Sequence, residues 1–521
     1  MSDTGSRGLF VRDELAYCDL IAAIGQQQGA CLPWWASTLA AKNFDVTDFW
    51  QRVQRFAAPN EAPLPAAARR WAVAGPACRQ LYRAYLLAPP AMRRQATRLQ
   101  RQVPPGPVVL VTHWLAHCFP PSGDYVDSYW QPLLDHCAAQ GIACVLLGLH
   151  VVDEHAVVQA VTARDNRLGP AGTISFPLAL FLTPADVWRA ACWAATSRLA
   201  LPAALPFRGK DLGPLLRHQY ATEVANGDIL VNLCCFLAFR RVIARLQPRR
   251  ILWPWENLPW ERMLIRAARQ AAVPPRLVAY QHGALPPFLL NHFPGRGESR
   301  CAPMPDRLLT VGPETAELLQ RYGDFPAGVV QPACALRHQQ LQHLAPPAFP
   351  EPAGRPVGVA LLAGGDTSAR LMRLAIDGLA DLGRPVWVRC HPLWPEAFVR
   401  RDWTGGLPPN FCFAPPQPVA RFLAQVGCVV CSESSLGFEA VAAGVPYIYA
   451  DLGHGPTGDP MFACDHLKFT AASPAALRAA VTAAEHLTPA AWREAWTLAH
   501  AYVRRYFRAC TPERLAQFLE A

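Results

Sequence analysis

Arg389-Cys390-His391-Pro392 closes a short apolar run. Further along, Cys428-Val429-Val430-Cys431 opens into Ser432-Glu433-Ser434-Ser435-Leu436-Gly437-Phe438-Glu439-Ala440, and Gly444-Val445-Pro446-Tyr447-Ile448-Tyr449-Ala450 follows. The order is strand, small-residue turn, helix, glycine stop, strand. Apolar runs this short, alternating with helices, predict a parallel sheet covered on both faces. The serine-rich turn offers backbone N–H groups and hydroxyls where a helix begins, a place suited to a phosphate. Plain helix capping by Ser434 or Ser435 is the competing reading.

The same grammar spreads outward. Upstream, Val357-Gly358-Val359-Ala360-Leu361-Leu362 reads as a strand, and Ala363-Gly364-Gly365-Asp366-Thr367-Ser368 as a glycine-rich turn into a helix. Residues 331–356 are rich in proline and read as a linker. Before them the pattern appears again. Val108–Thr112, Ala143–Leu149, Arg250–Pro254, Leu277–His282 and Leu308–Val311 read as strands, with helices at Gln131–Gln140, Trp260–Ala271 and Glu314–Tyr322. Residues 1–104 read as helical, including Asp13–Gln27 and Asp45–Phe56, and about 155–245 as a helical insertion. The expected organisation is a helical start (1–104), a Rossmann-like lobe (105–330), the linker, and a second Rossmann-like lobe (357–521). The two lobes are expected to face a cleft.

Composition narrows the class. The 521 residues are 51% hydrophobic and 17% charged, which excludes a disordered chain. The 51 prolines gather in connections such as Ala345–Pro350. The polar start, Met1 to Asp13, has no signal-peptide core, and no apolar stretch reaches the roughly 18 residues of a membrane span. A cytoplasmic protein is expected, peripheral on the inner membrane at most. Seventeen cysteines, an odd number, many inside apolar runs, predict reduced buried thiols. The net charge of +10 suits an anionic ligand or a membrane surface. Arg93, Arg94, Arg98 and Arg101 form a basic stretch that reads as a solvated face or a membrane-facing one. No motif points to nucleic acid.

Ligands of open α/β sheets sit at the carboxyl ends of strands, which singles out residues there. Glu256, among Trp253, Trp255 and Trp260, is the candidate general base or acid, because an apolar setting raises a carboxyl pKa. Helix capping or an arginine partner is its alternative. His282, at the next strand exit, is a second catalytic candidate. Asp127 in the first loop is a third, as base, nucleophile or loop cap. In the second lobe His391, fixed by Pro392, is expected to meet a phosphate, with Ser434, Ser435 and Gly437 around it. Glu439 is expected to accept ribose hydroxyls, and Gly364-Gly365 to close on the nucleotide. Arg208, Lys210 and Arg217 of the insertion are candidate contacts to an anionic acceptor. There is no DxD metal motif, no GxSxG elbow and no Walker lysine, so metal-independent chemistry is expected, with no cofactor.

Trp255-Glu256-Asn257-Leu258-Pro259-Trp260-Glu261, Tyr280-Gln281-His282-Gly283, His391-Pro392 and Ser434–Ala440 together resemble the bacterial surface-polysaccharide transferases of GT-B fold. Trp34-Trp35-Ala36-Ser37 and Lys42-Asn43 resemble the same group. It includes the capsule and O-antigen Kdo transferases and related surface carbohydrate biosynthesis proteins. The resemblance implies a nucleotide-sugar donor, commonly CMP carrying a Kdo- or sialic-like acid, held by His391 and Ser434-Ser435. It implies an acidic catalytic residue matching Glu256 and a glycan or glycolipid acceptor. The acidic-acidic-Gly motif of sialyltransferases is missing, and a nucleoside diphosphate sugar stays open. A sugar-nucleotide epimerase on the same fold and a silent glycan-binding subunit are the rival readings.

Overall fold

The computed structural model describes residues 12–42, 66–120, 123–150, 154–207, 209–342, 347–349, 351–352, 354–392, 394–403, 405–453 and 457–520. The helix expected at Asp45–Phe56, Asn43 and Arg208 lie outside them.

The chain forms two compact units. The first comprises residues 12–282, 290–337 and 510–520; the second comprises 283–289 and 338–509.

The first unit is built on seven strands: β1 (Val108–Trp114), β2 (Cys144–His150), β3 (Ile174–Pro177), β6 (Arg250–Pro254), β7 (Arg276–Gln281), β8 (Arg307–Thr310) and β9 (Val330–Pro332). The intervening β4 (Pro206–Phe207) and β5 (Lys210–Asp211) form a separate antiparallel hairpin. The sheet order is β3-β2-β1-β6-β7-β8-β9, and every pairing is parallel. The chain runs outward from β1 on one side, then returns and runs outward from β6 on the other. The loops after β1 and β6 therefore flank a switch point, where α/β sheets bind ligands. All five residues of β6 are buried, as a strand covered on both faces requires.

Helices Arg12–Gln28, Ala66–Leu87 and Pro90–Gln100 belong to this unit, so the helical start is not a separate domain. Nor is the insertion wholly helical. It supplies edge strand β3, and its last helix, Asp228–Leu246, leads directly into β6. Strand β9 lies where the linker was expected to begin. No helix among the described residues is long and apolar enough to cross a membrane.

The second unit has six strands: β10 (Val357–Ala360), β11 (Val386–Arg389), β12 (Phe411–Phe413), β13 (Cys428–Cys431), β14 (Tyr447–Ala450) and β15 (Lys468–Ala471). Their order is β12-β11-β10-β13-β14-β15, again all parallel. Here the switch point lies between β10 and β13. The helix Leu436–Ala442 ends beside Gly444, whose φ of +78° suits glycine. Residues 283–289, expected in the first lobe, belong here: the Leu285 N–H donates to the Tyr506 hydroxyl at 2.8 Å.

All 17 cysteines are free. Cys428 and Cys431 sit three residues apart on β13, where alternation turns them to opposite faces.

Candidate active site

The loop after β6 carries Glu256, and buried groups fix its backbone. Glu261, in the first turn of helix Pro259–Arg269, accepts hydrogen bonds from the N–H groups of Glu256 (3.0 Å) and Leu258 (2.9 Å) and from Trp253 Nε1 (2.8 Å). Burial pushes the Glu261 pKa up to about 8, against the pull of those donors. From the other side Asn291 Nδ2 donates to the Glu256 carbonyl at 2.5 Å, and Asn257 Nδ2 to the Asn291 carbonyl at 2.6 Å. Asn257 adopts φ +54°, a left-handed turn that asparagine tolerates better than most residues.

Arg262 Nε reaches Asn257 Oδ1 at 3.3 Å, and its NH2 reaches Glu298 at 3.1 Å. Lys42 Nζ meets the other Glu298 oxygen at 2.6 Å, and all three charged side chains are buried. Trp35 lies beneath the Arg262 guanidinium, 5.4 Å from ring centre to carbon. Lys42 and Trp35, read from the sequence as family marks, thus support the Glu256 loop from a distance.

Around the Glu256 carboxyl the strand exits bring together several rings and one cation. His282 Nε2 is 3.7 Å from Glu256 Oε1. Tyr129 packs edge-on to His282 with ring centres 4.8 Å apart, and Arg337 lies over Tyr129 at 5.5 Å. His113, at the end of β1, stands 3.4 Å from the Tyr129 hydroxyl and edge-on to Trp260. Burial lowers the His113 pKa to about 4, so its imidazole is neutral at pH 7. Burial raises the Glu256 pKa, and the positive charge of Arg337 opposes that rise. Because 42% of the Glu256 side chain stays accessible, water reaches it.

Glu256, His113, Tyr129 and Trp260 open onto a cavity of about 490 Å³. Apolar side chains make up most of its walls, and they come from the insertion and from helix Ala66–Leu87.

Asp127 is not positioned for proton transfer. It is buried and accepts from Thr112 (2.8 Å), Tyr125 (2.5 Å) and the N–H groups of Tyr129 and Trp130 (both 2.8 Å). Four donors occupy its oxygens, so it organises the loop that presents Tyr129. Lys210 is exposed on the β4–β5 hairpin and does not line the cavity.

In the second unit, Arg389 ends β11 and its charge acts on both His391 and Glu439. Its guanidinium NH1 and NH2 reach the carbonyls of Cys390 (3.3 Å) and Gln417 (3.4 Å). Burial, then Arg389, lowers the His391 pKa; neutral, it offers a hydrogen bond rather than a charge. The His391 carbonyl closes a turn on the Trp394 N–H at 2.9 Å, with Pro392 inside it. Burial raises the half-buried Glu439 while Arg389 pulls it down.

Ser434 Oγ accepts from the Leu436 N–H at 3.2 Å, a local turn two residues long, while Ser435, at the N-cap, makes no side-chain cap. Gly437 has a packing reason: a Cβ there would come 2.8 Å from the Tyr447 ring of β14. Gly364 faces open space at the start of helix Gly365–Leu379, and Gly365 lies against Trp394. Among the described residues no three His, Cys, Asp or Glu side chains gather as a metal site would need.

Sequence reasoning missed His113, Tyr129 and Arg337. The first two bound the loop that holds Asp127, so position at a strand exit was the available signal. Arg337 lies in the segment taken for a linker and carries no local signal.

Two Rossmann-type units, each parallel and each with one switch point, give the chain the organisation of the GT-B class. No family model matches the chain, and no curated protein matches it. Solved structures similar to it include the glycotransferase of kitacinnamycin, at 16% identity over 80% of this chain and 98% of that one, TM-score 0.44. MurG of Acinetobacter baumannii matches at 13% over 79% and 98%, TM-score 0.42. The UDP-GlcNAc 2-epimerase of Methanocaldococcus jannaschii matches at 9% over 73% and 93%, TM-score 0.41. These likenesses name no reaction for this chain.

Proposed function

We propose that the protein transfers a sugar from a nucleotide-linked donor to an acceptor hydroxyl. The observation that carries the reading is Glu256: a carboxyl on a rigidly held loop at a sheet switch point, beside His282 and open to a cavity. In the reaction the acceptor oxygen bonds to the anomeric carbon, the bond from that carbon to the donor phosphate breaks, and Glu256 takes the hydroxyl proton. The nucleotide leaves with the electron pair. His282 and Tyr129 position the carboxyl and the hydroxyl. The proposed step is metal-independent.

The donor nucleotide is assigned to the second unit. His391, Arg389, Glu439 and the turns at Gly364 and Ser434 surround the carboxyl ends of β10, β11 and β13, the place where a sheet of this order takes a ligand. The narrower reading is CMP carrying a Kdo-like acid, supported by the motif resemblance. A sugar-nucleotide epimerase has no use for an apolar cavity beside its base, which favours transfer.

Calorimetric titration with CMP, UDP and GDP tests the donor assignment. Micromolar CMP binding is expected, weakened about tenfold or more in His391→Ala, the cost of roughly one hydrogen bond to a charged group. Preference for UDP or GDP would change the donor and keep the site. Binding of none of the three would overturn the transferase reading.

Contact with a membrane surface is the proposed setting. Helix Ala66–Leu87 exposes Tyr82 (66%) and Tyr85 (59%), and helix Pro184–Thr196, packed against it, exposes Trp188 (68%). Aromatic rings beside arginines such as Arg79 and Arg189 suit an anionic lipid interface. Co-sedimentation with phosphatidylglycerol vesicles is expected, reduced severalfold by Tyr82→Ser with Tyr85→Ser. No sedimentation at low salt would remove this setting.

A further inference from the structure

We infer that the cavity beside Glu256 binds the apolar body of the acceptor, an alcohol whose hydroxyl meets the carboxylate and whose hydrocarbon part fills the space behind it. The inference rests on the reading of Glu256 as the transfer base. It narrows the glycan or glycolipid acceptor implied by the motifs to an alcohol with an apolar body.

The cavity has the size and the asymmetry of a built site. Its volume of about 490 Å³ falls within the range of pockets that bury a small ligand, roughly 300–1,000 Å³. Leu87, Leu178, Ala179, Leu182, Val231 and Ala238 are apolar residues of its wall. These residues come from three places in the chain: helix Ala66–Leu87, the turn Leu178–Phe181 with the residue after it, and helix Asp228–Leu246. Beneath them the ends of β1 and β2 make the floor. There Gly148 admits the Trp114 ring, which a Cβ would meet at 2.3 Å.

The catalytic polar groups gather at one end. Glu256, His113 and Tyr129 supply them, and Trp260 adds an indole N–H that is buried without a hydrogen-bond partner. Elsewhere on the wall, Asn232 Nδ2 is committed to the carbonyls of Ala36 and Asp228 at 3.0 and 3.1 Å. Gln80 and Arg83 complete the polar lining.

An all-carbohydrate acceptor fits this wall poorly. Each sugar hydroxyl set against Leu178, Leu182 or Val231 would lose its hydration without a partner, at a cost of about 1–3 kcal/mol. A hydrocarbon body loses nothing there and gains from leaving water.

One helix joins this cavity to the outside. Gln80, Arg83, Ala84 and Leu87 lie along its inner face at helical spacing, and Leu81, Tyr82, Tyr85 and Leu86 are exposed on the other. The acceptor alcohol can therefore be lipid-borne or a free apolar molecule, and the recognition chemistry is the same.

The test is calorimetric titration of the full-length protein with straight-chain 1-alkanols from butanol to dodecanol, with no nucleotide present. Affinity is expected to tighten about fourfold per added methylene until the cavity is full, then to level off. Ala179→Trp, which fills the space, and Val231→Glu, which places a charge in the wall, are expected to abolish the climb. Both are judged only where the far-UV circular dichroism and the thermal transition match those of the parent.

Affinity independent of chain length, or the same climb in both variants, overturns the inference. Displacement of bound decanol by vesicles doped with a long-chain prenol supports a lipid-borne acceptor. Displacement by short free alkanols and not by those vesicles supports a soluble one. Alkanol binding in the cavity without sugar transfer from any nucleotide donor would leave the site standing and remove the transferase reading. Transfer that is indifferent to an apolar tail would do the reverse.

Discussion

Glu256→Gln is expected to lower the turnover number by about 10²–10⁴-fold, the usual contribution of a positioned general base. The amide keeps the shape of the carboxyl and cannot take the proton, so KM for the acceptor should change little. The pH profile gives a second readout. Burial raises the Glu256 pKa, so the wild-type rate should climb with pH through a point above the ordinary glutamate value of about 4.3. The residual rate of the variant should lack that limb. Turnover within about threefold of wild type would place the proton transfer on another group.

The largest stability effect is expected at Glu298. The two cations it pairs, Lys42 and Arg262, have no side-chain exposure. Glu298→Ala leaves both buried without their carboxylate, and a broken buried pair of this kind costs about 3–5 kcal/mol. Denaturant unfolding at neutral pH measures it, and a loss below about 1 kcal/mol would show that the network contributes no more than a surface pair. The pH dependence follows with a definite sign. Burial alone would raise the Glu298 pKa, but Lys42 and then Arg262 outweigh it and hold the pKa below the ordinary value. The ionised group therefore stabilises the fold above the unfolded pKa. That stability disappears as pH falls through the depressed value, and the variant should lack this acid-sensitive portion.

Because the network ends on the Glu256 carbonyl, activity in Glu298→Ala should fall before the protein unfolds. The loop position and the carboxyl chemistry are thus separable: one variant alters where the base sits, the other what it does.

The α/β order was legible because apolar runs and breakers are local. β13 falls where its Cys-Val-Val-Cys run predicts, and helix Pro313–Tyr322 where Gly312-Pro313 opens it. Strands β12 and β15 escaped notice because edge strands are short and half-covered, so neither face imposes a pattern. Glu256 and His282 were readable as strand-exit residues. The occupation of Asp127 by four donors was not, since Thr112 and Tyr125 converge on it only after β1 and its loop are folded. Gly437 looked like a ligand turn because a glycine kept for packing against Tyr447 leaves the same mark in a sequence. The cavity was invisible: its wall comes from segments separated by many residues, none of them unusual alone.

Residues 510–520 belong to the first unit although they follow the second in the chain. Phe518 is fully buried against Tyr280 of β7, with ring centres 5.2 Å apart. Arg250, at the head of β6, gives its guanidinium to the carbonyls of Leu519 and Glu520. During synthesis the seven strands of the first unit's sheet all emerge before these partners do. Tyr280 and Arg250 therefore meet Phe518, Leu519 and Glu520 only after residues 338–509 of the second unit have been translated.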